Sequence, residues 1–141
     1  MSAQTREPGS VSVERALLAP ALLVLLSFAV VAGRTQIAEN AVQDAARAAA
    51  REASLARDAP TAIALAGAQA EGTLDAQDLR CQRTTIEVDT AGFQAPPGQP
   101  GDVSVSITCV VGMADLLAPG LPGSVTVEAS FTSSVDAYRE R

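Results

Sequence analysis

Glu14 stands five positions after Gly9 and two before Ala16–Gly33, an apolar run of 18 residues in which only Ser27 is a hydrogen-bonding type. An ionised carboxylate at the edge of a hydrocarbon layer needs a cationic partner. Toward the centre of a bilayer it costs about 2.5–3.5 kcal/mol on insertion scales. Arg15 is adjacent in sequence and leaves a helix in a different direction. Cleavage after Gly9 would supply a better partner, because Ser10 then becomes the N-terminus and its α-amino group is charged near neutral pH. That amine can meet its own Glu14 one turn away, or the Glu14 of a neighbouring copy. Pairing between copies would give register to a stack of identical apolar helices, as a single polar position does in a coiled coil. This is the chemistry of a chain that is cut and assembled.

Other chemistries find little to work with. The chain has no His, which removes the commonest general base and the commonest zinc ligand. Its net charge of −6, with no cluster of Arg or Lys, argues against a nucleic-acid partner. Asp75 and Asp78 fit one helix turn, but capping or solvation explains them. Asp89, Asp102 and Glu128 could converge at a sheet edge, yet they lack the ligand spacing of a calcium or zinc site. Serines are plentiful but no base of the expected kind accompanies them. The expectation is no enzyme, no cofactor and no metal.

The elements that position Gly9 and Glu14 follow from composition. As a helix, Ala16–Gly33 spans about 27 Å, close to the roughly 30 Å of a bilayer core. Pro20 inside it leaves the carbonyl of Ala16 without its usual donor, a defect that membrane helices tolerate where neighbours repair it. The flanking charges, Arg6, Glu7, Glu14 and Arg15 before and Arg34 after, leave the positive-inside rule nearly silent. The short N-terminal tail and the cysteines place the N-terminus in the cytoplasm. Thr35–Ala59 is alanine-rich and free of Gly and Pro. Ala38, Val42, Ala45, Ala49, Ala53 and Ala56 recur at steps of three or four, giving one face of small apolar residues. One continuous helix from about Ser10 to Asp58 is expected, its alanine stripe lying against its own domain or against other helices.

Asp58 and Pro60 then mark the cap and first turn of a short second helix that ends near Gly72. Alternation predicts three strands, around Thr84–Val88, Val103–Val111 and Val125–Phe131, separated by Pro/Gly-rich loops at 92–101 and 112–123. The fold class is α+β and membrane-anchored. A long N-terminal transmembrane helix extends into a soluble helix, followed by a short helix and a small antiparallel sheet of about three strands. The expected domains are a leader at 1–9, the long helix at 10–58 with its transmembrane segment at 16–33, and an extracytoplasmic α+β domain at 59–141. Cys81 and Cys109 bracket the first hairpin. They can form a disulfide if Cys81 lies just before the regular strand; in an unbroken strand it would point to the opposite face. Two buried free thiols are the alternative. An even cysteine count beyond a membrane helix fits an oxidising compartment.

Gly before the cut, Glu five positions later and a long apolar helix next resemble the signal of type IV pilins and pseudopilins. More narrowly, the chain resembles the TadE-like family of minor pseudopilins from Tad/Flp pilus systems. The residues that carry this are Gly9, Val13, Glu14, Pro20, Gly33-Arg34 and the AARAAAREA block at Ala45–Ala53, within the stretch from Gly9 to about Leu55. The resemblance implies a structural protein of a pilus assembly or secretion system, cut by a prepilin peptidase between Gly9 and Ser10. It implies other pilins or pseudopilins, the assembly platform and the lipid bilayer as partners. It also implies a single-pass protein of the cytoplasmic membrane that can enter a cell-surface pilus. Arg15 departs from the family, whose members usually carry an apolar residue there; it can snorkel to headgroups or pair with Glu14 of another chain. The rival reading is a secreted or anchored extracytoplasmic binding domain, with Ala16–Gly33 as a conventional signal peptide cut after Val31–Gly33.

Overall fold

Alanine builds the helical part of this protein. A computed structural model describes the backbone of residues 9–96, 98–116 and 120–135, and side chains from residue 16 onward. Helix α1 spans Gly9–Ser54 and α2 spans Ala59–Ala76. The described residues divide into two compact units between Gly33 and Arg34. The first holds the apolar half of α1; the second holds its alanine-rich half together with everything that follows.

The long helix stops at Ser54, four residues short of the expected end. Its last turn tightens into three-residue steps, with Leu55 N–H donating to the Glu52 carbonyl (3.2 Å) and Ala56 N–H to the Ala53 carbonyl (3.1 Å). The Ser54 hydroxyl adds a bond to the Arg51 carbonyl at 2.7 Å. The chain is then free to reverse at Asp58, whose extended backbone and side chain cap α2: Oδ1 accepts from Thr61 N–H at 2.9 Å. Pro60 sits in the first turn, where its missing N–H costs nothing. Helix α2 runs past Gly72 to Ala76, because burying Leu74 in the core outweighs the weak propensity of one glycine. It ends where Asp78 takes a left-handed conformation (φ 54°) and Leu79 N–H returns to the Leu74 carbonyl at 3.1 Å. An aspartate there serves the role glycine usually fills.

Three antiparallel strands, β1 (Cys81–Asp89), β2 (Gly101–Gly112) and β3 (Ser124–Val135), form one sheet with β2 in the middle. The register sets Ile86, Ile107 and Ala129 abreast, and likewise Val88, Val105 and Phe131. Alternation then buries Val103, Val105, Ile107, Cys109 and Val111, while Ser104, Ser106, Thr108 and Val110 take the other, half-exposed face. The strands outrun the sequence expectation mainly at the end of β3, which continues from Phe131 to Val135 along β2. That stretch carries almost no apolar signal: Thr132, Ser133 and Ser134 are held by pairing rather than by burial pattern. Both loops also contain local structure. A 3₁₀ turn at Ala91–Gln94 buries Phe93, and a single helical turn, α3 (Met113–Leu116), follows β2. Gly92 and Gly101 meet backbone to backbone, leaving no room for a Cβ on either.

One hydrophobic cluster joins the stripe of α1, the Ala62, Ala66, Ala70 and Leu74 face of α2, and the inner face of the sheet. All six stripe positions expected on and just beyond α1 are buried, and Ala41, Ala46 and Ala50 join them. The added positions widen the face beyond the roughly 100° of a simple amphipathic helix, as contact with two neighbours requires. Arg47 lies over the Phe131 ring at 5.4 Å, so α1 covers the β3 side.

Since Ala66 is fully buried in this cluster, Ala66→Leu should lower unfolding stability by about 1–3 kcal/mol. Ala68→Leu on the exposed face of α2 should change it by less than ~0.5 kcal/mol, both measured by denaturant titration of the full chain in detergent. The bonds from Thr61, its backbone N–H first, hold the Asp58 carboxyl below its ordinary value. The folded pKa is therefore the lower one, so the cap's contribution is complete above the unfolded value of about 3.9 and is lost as pH falls through the folded one. Asp58→Asn should keep the cap and flatten this acid-side slope, whereas Asp58→Ala should lower stability at neutral pH.

Candidate processing and assembly segment

Helical backbone begins at Gly9 and continues without a break through Ser10, Glu14 and Pro20. Gly9 and Ser10 are thus the first two residues of α1, and Glu14 follows one turn after Ser10. The side chains of residues 9–15 lie outside the described part, so the pairing expected between the Ser10 amine and Glu14 does too. So does residue 8, the last position before α1. Pro20 lies inside the helix on exposed surface, where it leaves one carbonyl without an N–H. The Ser27 hydroxyl satisfies itself on the Leu23 carbonyl at 2.7 Å, so the one polar side chain of the run needs no outside partner.

Every residue of Ala16–Gly33 is exposed. Ten of them are large apolar side chains, from Leu17 to Val31, and Phe28 reaches 75 % exposure. Soluble monomers rarely show contiguous apolar patches beyond a few hundred Å², so a helix greasy on all sides calls for lipid or other helices around it. It is the one helix among the described residues long and apolar enough to cross a membrane, with mean hydropathy 2.5 in its most apolar window.

Residues 9–51 match the family model TadE, described as TadE-like protein. The N-terminal segment is thus similar to that family. The match starts at the glycine and ends inside α1, so it covers the apolar helix and most of the alanine stripe. No curated protein and no solved structure matches the chain.

Beyond the TadE-like segment, Cys81 and Cys109 are joined in a disulfide with a Cα–Cα distance of 5.4 Å. The geometry differs from the sequence expectation in an instructive way. Cys81 is the first residue of β1 and not outside it. Pairing runs Arg83 to Val110 but Cys81 to Val111, so Gln82 bulges out of the ladder. One extra residue reverses the face on which the strand end points, and Cys81 swings to the side of Cys109. Arg34 is a residue that spacing did not single out as a site. Its Nη1 donates to the Leu116 carbonyl at 3.1 Å, tying the first residue of the second unit to the loop between β2 and β3. No local pattern marks that partner, since the two positions are 82 apart in sequence.

Two of the acidic residues weighed for catalysis have identifiable local roles. The Asp89 carboxylate accepts from Ala91 N–H at 2.9 Å, starting the turn after β1. Asp78 pairs loosely with Arg80 at 3.9 Å on open surface. Across the sheet Asp89 faces Ser104, two positions from Asp102 on β2, while Glu128 faces Thr108, four positions further along from Ser104. Among the described residues no three metal-ligating side chains gather.

The disulfide closes a segment of 28 residues, for which the chain-entropy model gives about 3–4 kcal/mol. A Cys81→Ser, Cys109→Ser double variant should lose stability of that order, and the wild-type chain should show the same loss in denaturant with reductant. Equal midpoints with and without reductant would show that the bridge is absent from the native protein.

Proposed function

We propose that this chain is a minor pseudopilin-like structural protein of a Tad/Flp (type IVc) pilus assembly or secretion system, processed by a prepilin peptidase between Gly9 and Ser10. The observation that carries the reading is a coincidence of position. The TadE-like match begins at Gly9, Glu14 follows at the fifth place, and the run from Ala16 to Gly33 forms a helix exposed on every side.

In this reading α1 first holds the precursor in the cytoplasmic membrane, N-terminus inside and the sheet domain outside. Cleavage frees the Ser10 amine one helix turn before Glu14. Assembly then exchanges lipid around Ala16–Gly33 for neighbouring helices, and the charge pair sets their register. The protein is a substrate of the peptidase and catalyses nothing itself. Its partners are the peptidase, other pilins or pseudopilins, the assembly platform and the bilayer; it needs no cofactor and no nucleic acid.

A second reading draws on the division between Gly33 and Arg34. A conventional signal peptide cut at that point would release a secreted binding domain beginning with the residue that holds the Leu116 loop. The mature N-terminus separates the two: Ser10 under the first reading, Arg34 under the second. Gly9→Leu should leave full-length precursor in membranes, seen as a heavier band and an unprocessed N-terminus. Normal shortening of that variant would refute peptidase recognition at Gly9. Glu14→Ala should be cut normally yet fail to restore surface pili in a deletion strain; restored pili would remove the charge pair from the mechanism.

A further inference from the structure

The two sulfurs of the Cys81–Cys109 bridge sit in unlike surroundings. Cys109 lies on the inner face of the central strand, inside the hydrophobic cluster, and is 0 % exposed. Cys81 is half-buried at the first position of the edge strand β1. It also lines a cleft of about 420 Å³ between α2 and β1, whose wall includes Glu71, Asp75, Arg80 and Thr84 but not Cys109. Solutes that enter this cleft meet one end of the bridge and not the other.

That asymmetry bears on how the bond is made and broken. Thiol–disulfide exchange is the attack of a thiolate on one sulfur of a disulfide, and its rate depends on which sulfur can be approached. A thiolate in the cleft has Cys81 Sγ before it. To attack Cys109 Sγ it would have to enter the packed layer between the helices and the sheet.

We infer that Cys81 is the site at which an external thiol or disulfide partner opens and closes this bridge, with Cys109 as the sheltered sulfur. In opening, the partner's thiolate bonds to Cys81 Sγ, the Cys81–Cys109 bond breaks, and Cys109 departs as a thiolate that takes up a proton. In closing, the Cys81 thiolate attacks the partner's disulfide, and one of the partner's sulfurs leaves as a thiolate. Cys109, its proton given to water, then attacks Cys81 Sγ and expels the other. The partner's disulfide is the oxidant, and it ends as two thiols. The charges of the wall narrow the kind of partner. Arg80 is shared with Asp78 at 3.9 Å, so Glu71 and Asp75 give the cleft a negative balance. A protein that presents its reactive sulfur from an electropositive surface is favoured over an anionic thiol.

Both cysteines of the chain are in the bridge, so exchange can be mapped on the unaltered protein. Full-length oxidised protein in detergent would be exposed briefly to reduced glutathione, quenched in acid, alkylated after unfolding and mapped by mass spectrometry. Glutathione should sit on Cys81 in at least about tenfold excess over Cys109, because exchange follows access to the sulfur attacked. Equal labelling, an excess on Cys109, or no exchange until denaturant unfolds the chain overturns the assignment. The charge preference is tested with a Glu71→Gln, Asp75→Asn double variant, whose two positions are exposed. Its exchange with anionic glutathione should quicken by roughly two- to fivefold at low salt, and by much less at about 1 M salt, where screening acts within about 3 Å. Exchange with neutral 2-mercaptoethanol should keep its wild-type rate. An unchanged glutathione rate, or an equal gain with both thiols, overturns the preference for an electropositive partner.

Discussion

The soluble unit depends on methyl groups meeting a sheet. Its two helices present alanines almost exclusively, and the sheet answers with valines and one fully buried isoleucine, Ile107. Small side chains allow close layers, but each alanine withdraws little area from water. A core of this kind has a thin hydrophobic margin, which makes every non-hydrophobic device more important. The Asp58 cap, the tightened end of α1 and the disulfide are such devices. The bridge sits where it helps most, fastening the short edge strand to the central one beside the end of α2.

The same economy shapes the apolar unit differently. Residues 16–33 are exposed along their whole length, and ten of them are large apolar side chains. A single helix therefore serves two environments in succession. It is greasy all round where lipid or other helices must surround it, then one-sided where it covers the sheet. The change occurs over Gly33 to Ala38, the first buried residue of α1 with a described side chain. Arg34 falls inside this change, and its bond to the Leu116 carbonyl couples the place where the environment switches to the sheet domain.

Glycine and glutamate near the N-terminus gain meaning only from this arrangement. A carboxylate ahead of a water-soluble helix would be ordinary, since acids favour helix N-termini in any case. Ahead of a helix that water cannot surround, the same carboxylate acquires a desolvation cost, which the amine freed by the proposed cleavage would offset.

Much was legible from local pattern. The helical recurrence of alanines, the period-two alternation of the strands, the apolar run and the Asp58–Pro60 cap each depend on neighbours within a few positions, and the residues alone determined them. The candidate segment was legible for the same reason, as Gly9, Glu14 and the run that follows lie close together in sequence. Tertiary structure decided what local pattern cannot carry. The width of the α1 face follows from how many neighbours that helix meets. The length of β3 follows from pairing along β2, because its final serines and threonine have no burial signal. The bulge at Gln82 and the Arg34 bond to Leu116 depend on residues brought together by chain closure. Periodicity records which side of an element is buried; only the closed chain determines the register and the partners found there.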